Sequence, residues 1–114
     1  MSLSNRAMII EIGTTFIRGG VSGMYCPRFI IDTDGILDIT DEALLANKFV
    51  DLFQYIFTEK LCIKAKEYSV LIIEKVTSPQ AVADVLLTIL LRVFQVPRHF
   101  RRKYHSLEII SFAQ

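Results

Sequence analysis

Apolar and polar positions alternate between two periods along this chain, and the changes of period mark its elements. Residues 7–12, Ala-Met-Ile-Ile-Glu-Ile, form a nearly continuous apolar run that predicts a buried strand. Gly13-Thr14-Thr15 is a turn signal, and Phe16 to Ser22 predicts a second strand. Gly23 and Pro27 punctuate a second turn before a third short strand, Arg28 to Ile31. Three short strands joined by two tight turns predict an antiparallel meander.

Asp32 to Ile39 is a polar connection carrying Asp32, Asp34 and Asp38. Thr40-Asp41-Glu42 then predicts a helix start, with a capping hydroxyl or carboxylate and an acid in the first turn. Leu44, Leu45, Phe49, Leu52, Phe53, Ile56 and Phe57 follow at helical spacing, and Lys60 and Lys64 fall near the expected end. Tyr68 to Val76, with Val70-Leu71-Ile72-Ile73 at its centre, predicts a strand covered on both faces. Ser78 suits an N-cap and Pro79 the first helical position. The helix they open carries Val82, Val85, Leu86, Ile89, Leu90 and Phe94, and Val96-Pro97 stops it. The expected order is β-β-β-α-β-α, an α/β fold with a mixed sheet. After Pro97 the pattern breaks: residues 98–105 are basic, residues 106–114 are a short apolar end, and the stretch is expected to be a solvated tail.

Composition sharpens this in three places. Hydrophobic residues make up 52% of the 114, and mean hydropathy is +0.40. A single domain of that character is expected to carry apolar surface that awaits a cover. The formal net charge is +1, but Arg98, Arg101, Arg102 and Lys103 against Glu108 leave the body slightly acidic, which argues against nucleic acid as a partner. Cys26 and Cys62 have no metal-ligand spacing and make no disulfide framework, so a reducing compartment is expected. No basic segment followed by a long apolar core opens the chain, so no signal peptide is expected. Val82 to Val96 is interrupted by Asp84 and Arg92, and no membrane span is expected.

Few side chains suggest chemistry by spacing alone. His99 and His105 have no acid or cysteine at ligand spacing and read as surface histidines, so no metal site is expected. Glu11 with Asp32 or Asp34 reads as one turn-facing acid and two loop acids rather than an acid pair. Phe100 and Tyr104 interleave with the cations of the basic run in the manner of an RNA or anionic-membrane contact, but no second basic segment supports it. The turn is the exception. A Gly-Thr-Thr hairpin offers backbone N–H groups and hydroxyls to phosphate oxygens, and Arg18 would add a charge-assisted fork.

The order of these motifs resembles the actin family. Ile9-Ile10-Glu11-Ile12-Gly13-Thr14-Thr15-Phe16-Ile17-Arg18-Gly19-Gly20, followed by Pro27-Arg28, is similar to the family's first phosphate-loop region. Val70-Leu71-Ile72-Ile73-Glu74, Pro79 and Val93-Phe94-Gln95-Val96-Pro97 are similar to a later strand and helix that end in Phe-x-Val-Pro. Only residues 28–39 stand where ordinary actins have a long insertion, which looks like the actin-related branch at the pointed end of dynactin.

The resemblance spans residues 7–97 and implies an incomplete actin/Hsp70-like ATPase subdomain, with residues 98–114 a divergent tail. It implies phosphate contacts from Gly13, Thr14, Thr15 and Arg18, with Glu11 acting indirectly around metal-bound water. Arg18 stands where the family usually has Lys, and Glu11 where it has Asp. ATP is implied for a full-length relative and no cofactor for this chain alone. The second phosphate hairpin, the adenosine pocket and the residue that positions the attacking water come later in the family, so no catalytic residue and no enzyme activity are expected. The implied role is structural: a cytoplasmic, cytoskeletal piece that caps an actin-like minifilament and supports dynein-driven transport on microtubules. Its partners would be an actin-like filament subunit and other pointed-end proteins of dynactin. The alternative is a nucleotide-binding actin-fold ATPase fragment or a truncated isoform without independent activity. The family continues after Val-Pro as an apolar strand, and Arg98 to His105 departs from that text.

Overall fold

The computed structural model describes residues 7–13, 15–22, 28–33, 35–36, 38–75 and 80–104. The turn at Gly23 and Pro27, the cap at Ser78-Pro79, and Thr14, Cys26, Asp34, His105 and residues 106–114 lie outside them. The protein is α/β. Its strands are β1 (Ala7–Ile12), β2 (Phe16–Val21), β3 (Phe29–Asp32), β4 (Ser69–Lys75) and β5 (His99–Tyr104). Helix α1 (Glu42–Tyr55) precedes β4 and helix α2 (Gln80–Arg92) follows it.

The strands form one mixed sheet in the order β3-β2-β1-β4-β5. β1 pairs antiparallel with β2, and β2 antiparallel with β3, which is the expected meander. β4 lies parallel to β1, and β5 parallel to β4.

Strand alternation divides the sheet into two faces. Met8, Ile10, Ile12, Ile17, Phe29, Val70 and Ile72 point to one face and share a core with Leu45, Phe49 and Phe53 of α1 and Val82, Leu86 and Leu90 of α2. Both helices therefore pack on this face. The other face carries Phe16, Ile30 and Phe100, which are 50%, 61% and 57% exposed, beside half-buried Leu71 and Ile73. Helical cover on both faces of β4, expected from its apolar run, is found on one face among the described residues.

Each helix ends for a local reason. The Asp41 carboxylate caps α1, accepting from the N–H of Ala43 at 2.9 Å and of Leu44 at 3.4 Å. At its far end α1 widens into a π-helical turn, Ile56–Lys60, closed by the Leu61 N–H donating to the Ile56 carbonyl at 2.8 Å. This bulge keeps Ile56 and Phe57 buried. Helix α2 ends where Gln95 adopts a left-handed conformation (φ 58°), and the Val96 N–H returns to the Leu90 carbonyl at 3.1 Å. The turn buries Val96 and brings Phe94 edge-on to Phe57 at 5.0 Å.

Residues 99–104 correct the expectation of a solvated tail: they are the fifth strand, and the element order gains a β after α2. The physical reason lies in the alternation. Arg101 points to the helix-covered side, where Glu74 and Asp84 neutralise it, while His99, Phe100, Arg102 and Lys103 remain exposed. An edge strand tolerates such charges because half of its surroundings are water.

Gly19 marks the tightest packing in the meander. A Cβ there would collide with the Ile9 carbonyl oxygen and stand 2.7 Å from Cζ of Phe29. The backbone oxygen has no freedom to retreat without breaking the β1–β2 ladder. Gly19→Ala is expected to destabilise the fold by about 3 kcal/mol, read as a lower urea midpoint at unchanged slope.

Candidate functional site

The β1–β2 hairpin gathers most of the expected phosphate-binding residues at one end of the sheet. Its closure is a backbone matter: the Gly13 N–H donates to the Phe16 carbonyl at 3.0 Å. The Thr33 N–H donates to the Thr15 carbonyl at 2.9 Å, which ties the hairpin to the segment leaving β3. Thr15 is exposed, and Thr14 lies outside the described residues. Glu11 and Arg18 are direct cross-strand partners on the face opposite α1 and α2, and the Arg18 Nε donates to Glu11 Oε1 in an ion pair. Glu11 is 6% exposed. Asp32 sits opposite Phe16 on β3, so a whole strand separates it from Glu11.

This geometry changes what the turn can do. The Gly13 amide is committed to the hairpin, and the Arg18 charge is balanced by its neighbour. A phosphate arriving here would have to compete with a partly buried carboxylate for the guanidinium. Glu11, Gly13, Thr15 and Arg18 are adjacent, as their spacing suggested, but they form a charge-compensated group.

A second group was not legible in the sequence. Arg101 of β5 donates to Glu74 Oε2 from Nε at 3.0 Å and from Nη2 at 2.7 Å, and to Asp84 Oδ1 of α2 from Nη1 at 2.6 Å. Burial alone would lower the Arg101 pKa, but hydrogen bonds and charges from Glu74 and Asp84 outweigh it and the net shift is upward. Glu74 is 1% exposed, and among the described residues its Oε1 accepts no hydrogen bond. The sequence signal was thin: an acid closing an apolar strand, and one cation among four in a basic run.

Glu74 lies beside Ile12 in the β1–β4 register, so the two ion pairs sit on opposite faces of the same sheet end. That is the carboxyl end of the parallel strands, where open α/β sheets place ligands. Glu11 and Arg18 balance one for one, whereas Arg101 is shared between two carboxylates, so the second group carries one acid in excess. Elsewhere, Cys62 is exposed and its Sγ lies 3.9 Å from the Glu59 carbonyl oxygen. Among the described residues no three His, Cys, Asp or Glu side chains gather as a metal site. A shallow groove of about 350 Å³ lies between β3 and α1, lined by Ile31, Ile36, Lys48, Asp51, Leu52 and Tyr55. Another, of about 300 Å³, lies between α1 and α2 over Ala43, Ala46, Val85 and Ile89. Neither reaches the Gly13–Thr15 turn.

No helix among the described residues is long and apolar enough to cross a membrane. The chain matches no protein-family profile and no curated protein.

Proposed function

We propose that this chain is an actin-like subdomain with a structural role, a docking piece of the kind that caps the pointed end of an actin-like minifilament in dynactin. The observation that carries the reading is the second sheet face, on which no helix packs among the described residues. Phe16, Ile30 and Phe100 stand at least half exposed on it, opposite a face that two helices cover. A sheet with parallel strands is normally covered on both sides, and an apolar face of this kind suits a packing neighbour better than a reaction. Two further features support it. A strand follows Val96-Pro97, at the place where the family has one, although its residues are basic and not apolar. The Arg18 guanidinium, which a nucleotide phosphate would need, is paired with Glu11.

The test is affinity purification of the tagged full chain from cells, with mass spectrometry of what accompanies it. Recovery of the dynactin minifilament with its pointed-end proteins is the expected result, and recovery of chaperones alone would sink the reading. Equilibrium dialysis with Mg·ATP supplies the second arm. Binding that Arg18→Ala abolishes would favour the nucleotide-binding fragment instead.

A further inference from the structure

The basic run that looked like a tail is an edge strand, and its backbone is oriented in a definite way. The Val70 N–H donates to the Arg98 carbonyl at 2.9 Å, and Val70 stands beside His99 in the register. A parallel ladder engages every second residue of each strand. Positions 98, 100, 102 and 104 of β5 therefore face β4, and His99, Arg101 and Lys103 turn their N–H and C=O groups outward. Among the described residues no strand lies beyond β5.

The side chains along this edge select what can join it. Arg102 and Lys103 are exposed cations, and Arg98 precedes them, also exposed. Arg101 is offset by two carboxylates, so its cluster subtracts one charge and leaves Arg98, Arg102 and Lys103 to set the sign of the edge. A second copy of β5 would set cation against cation, which is unfavourable in directly paired strands. Nucleic acid would use the cations but leave the row of backbone donors and acceptors without partners. An extended segment with carboxylates opposite Arg98, Arg102 and Lys103 and an apolar side chain opposite Phe100, which is 57% exposed, satisfies both.

We propose that the outer edge of β5 binds an extended acidic peptide segment of a partner protein, which adds to the sheet as a sixth strand. The inference stands apart from the docking of the open face, because it uses the sheet's edge and its backbone.

The test is titration of the 15N-labelled full chain with a short glutamate-rich peptide that carries glutamates on both faces and a single central valine, and with its lysine-for-glutamate counterpart. Shifts are expected across His99–Lys103, with new protection from exchange at the outward amides of 99, 101 and 103. The lysine peptide is expected to cause neither. Arg102→Glu combined with Lys103→Glu should weaken binding about tenfold, as befits two exposed charge pairs, and added salt should weaken it in the wild-type chain. Lys103→Pro removes an outward donor that the β4 ladder does not use, and should erase the protection at that end of the strand. Equal binding of the lysine peptide, shifts confined to other strands, or no binding would overturn the proposal. So would an oligonucleotide that moves the Arg102 and Lys103 signals while the acidic peptide does not.

Discussion

Phe53→Ala is expected to cost about 4 kcal/mol of folding stability, the largest loss from any single truncation in the core. The ring is fully buried. It meets Phe29 edge-on at 6.0 Å, Phe49 at 6.1 Å and Phe57 at 5.8 Å, so one side chain joins the third strand, the middle of α1 and the π-helical turn. Truncation removes the transfer free energy of the ring and leaves a cavity among three aromatic side chains that are themselves held by other contacts. Edge-to-face pairs add about 0.5–1.5 kcal/mol beyond area. Domains of this size have about 5–15 kcal/mol in all. Urea denaturation should show a much lower midpoint, and Phe53→Leu should recover more than half of the loss. A loss below about 1 kcal/mol would mean that this cluster is not the centre of the core.

Arg101→Ala is expected to cost about 3 kcal/mol, at the low end for a broken buried pair. The low end applies because the Arg101 side chain is 26% exposed whereas that of Glu74 is 1% exposed. The damage comes from what remains: a carboxylate in the core with neither of its guanidinium hydrogen bonds. Replacing both residues by methionine should restore stability to within about 1 kcal/mol of the parent, since paired removal leaves no buried charge behind. Hydrogen exchange should locate the Arg101→Ala effect in β5 first.

The sequence revealed those parts whose signal is local. Apolar spacing from Leu44 to Phe57 marked α1, and Thr40-Asp41-Glu42 marked its start, leaving a hydroxyl or a carboxylate as the cap that the structure assigns to Asp41. The meander followed from turn residues placed between short apolar runs. β5 was hidden because three of its six residues are Arg or Lys, and charge content masked an alternation that only pairing with β4 makes meaningful. The π-helical turn was hidden because one extra residue barely disturbs helical spacing over a few positions.

The ion pairs show the same division. Glu11 and Arg18 were singled out for their chemistry, but that they satisfy each other depends on the hairpin register. Glu74, Arg101 and Asp84 come from two strands and a helix, and no pattern along the chain connects them.

The position of β1 between β2 and β4 has a consequence for how the chain acquires its fold. The meander needs only neighbouring segments, so it can form on the microsecond scale of hairpins. The parallel edge of β1 must wait for Ser69 to reach Ala7, a pairing across more than half the length of the chain. Closing that distance costs entropy before any contact repays it, and such non-local pairings are slow. On the ribosome, β1 emerges with one edge paired and the other open until β4 follows. During that interval the nascent chain offers an unpaired, strongly apolar strand to whatever is nearby, and a holding chaperone would find its natural substrate there.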